Sequence, residues 1–161
     1  MYKPKIYLET TMFSFFHETR EHGEYPSLKA QTREVFGRIK VGEYEPYTSL
    51  FALDEISKEP DPAKRGRMAA LVAEYGIRVL DESSDASRLA SLYVQEGAVS
   101  PSWEADAVHI AMAAVNGLDF VVSLNFTHIV RAWTIERVRR VNRREGYQGI
   151  GIYRPSEVLE L

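Results

Sequence analysis

Short apolar runs alternate along this chain with longer stretches whose apolar residues recur every three or four positions, and few architectures satisfy that alternation. The run KIYLE at residues 5–9 ends in an acid and is followed by Thr10 and Thr11, which suits a buried strand running into a helix N-terminus. The apolar, aromatic MFSFFHE comes next, before a polar stretch through Glu24 and Pro26 breaks the pattern. Leu28, Val35, Phe36 and Ile39 restore helical spacing, and Gly42 is the stop signal. A second strand starts in EPYTS, and Ser49 leads a short amphipathic helix, LFALDEI, with Pro60 and Pro62 closing it. Met68, Leu71, Val72 and Tyr75 mark another helix, and Gly76 separates it from the strand-like IRVL.

The second half repeats the logic. Residues 86–96 read as a helix ended by Gly97, and Ser100-Pro101-Ser102 supplies the cap for WEADAVHIAMAAV, whose alanines permit close packing. Residues 119–125 form the fourth predicted strand, 128–144 a helix and 149–153 a fifth strand before Pro155. No internal repeat and no Gly/Ser- or Pro-rich linker interrupts the series, so residues 1–161 are expected to form one α/β domain around a mainly parallel sheet of five strands.

Composition removes several chemistries. The chain has no cysteine, which excludes disulfides, thiolate metal sites and cysteine nucleophiles and leaves carboxylates and histidines as metal ligands. No apolar run approaches the roughly 20 residues that span a bilayer, and the apolar N-terminal stretch carries Glu9 within it, unlike a signal peptide. A cytoplasmic protein without membrane association is the expectation. A net charge of -3 argues against tight nucleic-acid binding by bulk electrostatics. Local charge differs from the sum: Arg131, Arg137, Arg139, Arg140, Arg143 and Arg144 face a single acid, Glu136, across residues 131–144. That run is either a phosphate-binding face, with Arg137 and Arg140 as candidate substrate contacts, or a solvated helix surface.

Ligands of open parallel sheets sit beyond the carboxyl ends of the strands, at the point where strand order reverses, so polar residues at those ends are the first candidates. Glu9 ends the first strand, Asp106 opens the alanine-rich helix, Asn125 ends the fourth strand, and Glu55 can reach the same edge from the helix after strand two. Singly, each has a plain explanation: a helix cap for Glu9, a dipole partner for Asp106, surface for Glu55, a turn for Asn125. Together they imply a cation, because crowded carboxylates repel unless one neutralises them, and oxygen ligands of this type select hard ions such as Mg²⁺ or Mn²⁺. His109, three residues past Asp106, reads either as a ligand or general base or as a histidine satisfied within the core; the alanine-rich helix favours the core. Trp103 and Phe126 read as base-stacking rings or as core aromatics.

The motifs IYLETTMFSFF, SLFALDEIS, EADAVHIAMAAVNGLDFVVSLNFTHI and IYRPSEVLEL, which together span almost the whole chain, resemble the PIN domain family, including VapC-like toxin ribonucleases. The resemblance is most specific in the second half, where an acid-Ala-x-His-Ile-Ala helix, a strand and an Asn-Phe-x-His-Ile turn follow in order. It implies a three-layer fold, a central parallel sheet of about five strands flanked by helices, and an acidic cluster that binds Mg²⁺ or Mn²⁺ to hydrolyse RNA phosphodiester bonds. By position, Glu9, Glu55 and Asp106 match the three acids, as metal ligands and catalytic residues, and Asn125 stands where a fourth acid is often found. Two departures follow: Glu9 replaces the usual aspartate, and Asn125 offers a neutral oxygen, suited to orienting water or substrate. Thr10 and His128 lie where substrate contacts are expected, Thr10 alternatively as a helix cap. The resemblance further implies a homodimer and, for a toxin, an antitoxin partner. Competing readings are a catalytically weak PIN-like module that binds RNA or protein, and a phosphatase or nucleotide-binding protein, for which no Walker A loop or G-x-G-x-x-G is present.

Overall fold

A computed structural model describes residues 2–161. The strands β1 (Lys5–Leu8), β2 (Glu45–Ser49), β3 (Arg78–Leu80), β4 (Phe120–Val122) and β5 (Gly151–Tyr153) form one sheet in the order β3-β2-β1-β4-β5. Every neighbouring pair is parallel. Parallel neighbours require crossovers, and helices supply them: α1 (Thr10–Phe16) and α2 (Tyr25–Lys40) after β1, α3 (Leu50–Ser57) and α4 (Pro62–Glu74) after β2. Then α5 (Ser84–Gln95) and α6 (Glu104–Val115) follow β3, α7 (Ala132–Glu145) follows β4, and α8 (Pro155–Val158) follows β5. The chain winds outward from β1 to β3 and then restarts on the other side of β1 with β4, so strand order reverses between these two central strands.

Side chains alternate across a strand, which sorts the core into two layers. Ile6, Leu8, Phe120 and Val122 pack with Met12, Phe13, Val35, Phe36 and Ile56 on one face. Tyr7, Tyr47, Val121 and Ile152 pack with Leu89, Ile110, Ala111 and Val138 on the other. Both faces of the sheet are therefore covered, as an all-parallel sheet demands. The result is the expected α/β architecture of three layers. Among the described residues no helix is long and apolar enough to cross a membrane.

Three boundaries differ from the sequence reading, each for a local reason. The fourth strand stops at Val122, short of Asn125. Past it, the N–H of Leu124 donates to Thr11 Oγ1 and that of Asn125 to Ser123 Oγ, so side chains replace strand partners. The helix expected from His128 begins at Ala132, because residues 125–130 wrap into a turn in which the Asn125 carbonyl accepts from both Ile129 and Val130. Pro62 opens α4 instead of closing α3: α3 has already ended at Ser57, and Asp61 caps the new helix through Ala63 and Lys64. Ser49, by contrast, caps α3 as its position suggested, accepting from Ala52 N at 3.1 Å.

Candidate metal centre

The order β2-β1-β4 puts the carboxyl ends of these strands side by side, with Ser49 closing β2 and Glu9 and Ser123 directly following β1 and β4. Glu9 has extended backbone at the N-cap position of α1, yet its side chain accepts no backbone N–H of that helix. It is only 4% exposed, and its Oε1 accepts from Ser123 Oγ at 2.6 Å and Thr11 Oγ1 at 2.5 Å. Those two hydroxyls are aimed in turn, since each receives a backbone N–H from the loop after β4, Leu124 onto Thr11 and Asn125 onto Ser123. An oxygen that accepts from an amide points its own proton elsewhere, here at Glu9. The clamp holds Oε1 and leaves Oε2 free of both hydroxyls.

Glu55 projects from α3 and is held the same way: Oε1 accepts from Thr10 Oγ1 at 2.5 Å and pairs with His109 Nε2 at 2.6 Å. His109 is fully buried on α6, and its Nδ1 lies 2.6 Å from the Tyr7 hydroxyl, itself 2.8 Å from Ser49 Oγ. Burial pushes the Glu55 carboxyl up, but the hydrogen bond and charge of His109 and the Thr10 hydroxyl outweigh it, and its pKa falls below the usual carboxylate value. Burial likewise works against a charged His109, and the bond to Glu55 with the charges of Glu9, Glu55 and Asp106 reverses that, raising its pKa. Tyr7 stays a neutral phenol because burial raises its pKa strongly.

Asp106 lies in the first turn of α6. Its Oδ1 accepts from Asn125 Nδ2 at 3.1 Å, while its Oδ2 is buried without any partner. Burial first and the negative charge of Glu9 second raise its pKa. Asn125 is used at both ends, since its Oδ1 accepts the His128 N–H at 3.0 Å. An amide is the group that can do this, because a carboxylate has no proton to give Asp106. His128 in turn stacks on Trp103, with ring centroids 4.3 Å apart and planes inclined by 21°.

All three acids are thus tethered through one oxygen each, and the strands and helices that carry them converge at one sheet edge. Ligand atoms of Glu9, Glu55 and His109 lie within 4.8 Å of one another. His109 nevertheless fits the role of support better than that of ligand. An ionised Glu55 can only accept, so Nε2 carries the proton of their bond and has no lone pair for a metal. The core reading of His109 accounts for its bonds. Asp106 falls outside that group, although the charge of Glu9 reaches it and its own charge reaches His109. Glu9, Glu55 and the orphaned Asp106 Oδ2 offer the kind of oxygen donor that suits a hard divalent cation.

Among the other candidates, Thr10 sits at the centre through its bond to Glu55, and His128 flanks it through Asn125. Arg137 and Arg140 are engaged elsewhere. Arg137 lies over the Trp133 ring at 3.6 Å and donates to the Glu96 carbonyl, and Arg140 pairs with Glu136 at 2.7 Å on the exposed side of α7. Phe126 is partly buried against both core layers, with the Arg154 guanidinium 4.3 Å from its ring. Sequence reasoning passed over Thr11, Ser123, Tyr7 and Ser49 as site residues. A hydroxyl at the end of each central strand was the one available signal. Compared with known proteins, the chain matches no family model and no curated protein.

Proposed function

We propose that this chain is a PIN-type, metal-dependent endoribonuclease, acting in the cytoplasm and suited to the toxin role of a toxin-antitoxin pair, with a homodimer as its working form. The observation that carries the reading is the set of three carboxylates at the reversal point of a parallel sheet, each anchored through one oxygen, with Asp106 Oδ2 buried and unpaired. Glu9, Glu55 and Asp106 would hold Mg²⁺ or Mn²⁺. The bound ion supplies Lewis acidity at the phosphate and a water of lowered pKa. The protein's own part is positioning: Ser123 and Thr11 fix Glu9, His109 and Thr10 fix Glu55, and Asn125 fixes Asp106. Thr10 and His128 line the approach to these acids, whereas Arg137 and Arg140 would meet only a longer strand running over α7.

One observation favours the second reading, a PIN-like module that binds RNA or protein with weak catalysis. Asn125 spends both ends of its amide inside the protein, so the fourth corner contributes no free ligand oxygen. The test is hydrolysis of single-stranded RNA with Mn²⁺ or Mg²⁺, compared with the same reaction in EDTA and with Asp106→Asn. Cleavage that needs metal and Asp106 supports the nuclease. No cleavage with either ion, together with no heat of metal binding by calorimetry, rejects it.

A further inference from the structure

Trp103 closes a 3-10 turn, Pro101–Trp103, at the head of α6 and keeps 49% of its surface exposed. A ring left half open on a folded surface usually swings in solvent, but this one lies flat on the His128 imidazole. The His128 backbone is fixed, its N–H donated to Asn125 Oδ1 and its carbonyl accepting from Thr134 Oγ1. One face of the indole is therefore backed by the imidazole, and about half of its surface is open.

The position of that plane is set by the acid cluster twice over. Trp103 precedes Asp106 by three residues on the same segment, and His128 hangs from Asn125, whose amide holds Asp106. A strand whose phosphate the acids held would pass the head of α6, where the indole stands one turn before Asp106. Every nucleobase presents a π-face, and stacking of an unpaired base on an aromatic side chain is tolerant of sequence and strong per base. We infer that Trp103, backed by His128, is the base-stacking shelf that positions the nucleotide next to the phosphate held at Glu9, Glu55 and Asp106. The inference rests on the nuclease reading for the placement of that phosphate.

The chain has two tryptophans, so Trp133→Phe leaves Trp103 as the single indole emitter. A single-stranded oligonucleotide added in EDTA should quench that emission saturably, and a strand with abasic positions should quench it far less. In the wild-type background, Trp103→Ala should raise KM about tenfold to hundredfold with little change in kcat, and Trp103→Phe should restore most of the loss. Emission that ignores saturating oligonucleotide, or responds equally to the abasic strand, overturns the shelf. So does a Trp103→Ala protein with unchanged KM and a smaller oligomeric mass, which would assign the ring to a protein interface. The two readings fail separately. Base-dependent quenching without hydrolysis under any metal sustains the shelf and rejects the nuclease, whereas metal-dependent hydrolysis with a silent Trp103 does the reverse.

Discussion

The carboxyl edge of the sheet and the outer face of α7 hold like charges in quantity, and they treat them in opposite ways. On α7 the arginines sit in solvent with partners mostly from the same helix: Arg140 with Glu136, Arg144 with Glu145 and, from α5's end, Glu96, and Arg137 over Trp133. At the edge, Glu9, Glu55 and Asp106 are partly or wholly buried among hydroxyls, one amide and one imidazole. Exposed charges on α7 cost little to gather and contribute little when paired. At the edge, burial and the charge of Glu9 work against an ionised Asp106, whereas His109 and Thr10 hold Glu55 ionised.

Asp106→Asn breaks this contrast most sharply. It removes a carboxylate without changing shape, and hydrolysis of single-stranded RNA should fall by at least about a thousandfold, equivalent to about 4 kcal/mol at the transition state. Single-turnover rates at saturating Mn²⁺ would measure it, and activity within tenfold of wild type would remove Asp106 from the centre. Next in size is Ser123→Ala. With one hydroxyl of the Glu9 clamp gone, affinity for Mn²⁺ should drop about tenfold to hundredfold by calorimetry, the range typical of groups that orient metal ligands.

A smaller effect runs the other way. Without metal, Asp106→Asn should raise the melting temperature at pH 7, by no more than a few degrees in a chain of this size. The sign follows from the pKa of Asp106, which burial and Glu9 raise in the folded state. The folded protein then binds the proton more tightly than the unfolded chain, so stability falls as pH rises from the ordinary aspartate value through the raised one. The gain in the variant should accordingly be full above the raised pKa and vanish below the ordinary one. Scanning calorimetry from pH 7 to pH 4 would show it, and a pH-independent difference would rule the cause out. Added Mn²⁺ should stabilise wild type in proportion to the logarithm of its concentration and leave the variant behind.

Arg140→Ala should do least. Its pair with Glu136 is exposed on both sides, so stability should change by less than about 0.5 kcal/mol. Should α7 nevertheless carry a strand of RNA, the slope of log affinity against log salt would lose about one unit.

The sequence carried much of this in its local patterns and little of it in its long-range partnerships. Alternation of apolar runs with helical spacing is a local property, and it located β1, β2, α3 and α6 with Glu9, Ser49 and Asp106 at their ends. Charge counting along residues 131–144 leaves out Glu96, which pairs with Arg144 from 48 residues away. The clamp on Glu9 was hidden for the same reason. Thr11 and Ser123 are unremarkable hydroxyls until β1 and β4 lie side by side, 114 residues apart between Glu9 and Ser123. The early end of β4 has that origin too, since the amides past Val122 turn to those hydroxyls.

The line from Ser49 through Tyr7 and His109 to Glu55 has one more property. From Ser49 to His109 Nδ1 every link is a group that can either give or take a proton, while Nε2 donates to Glu55 throughout. With His109 neutral, Ser49 donates to Tyr7 and Tyr7 to Nδ1; with His109 as imidazolium, Nδ1 donates to Tyr7 and Tyr7 to Ser49. Two hydroxyl rotations separate these states, and no heavy atom moves. The edge of the sheet therefore rests on an imidazole whose Nδ1 partners suit it in either charge state, while the heavy-atom scaffold stays still.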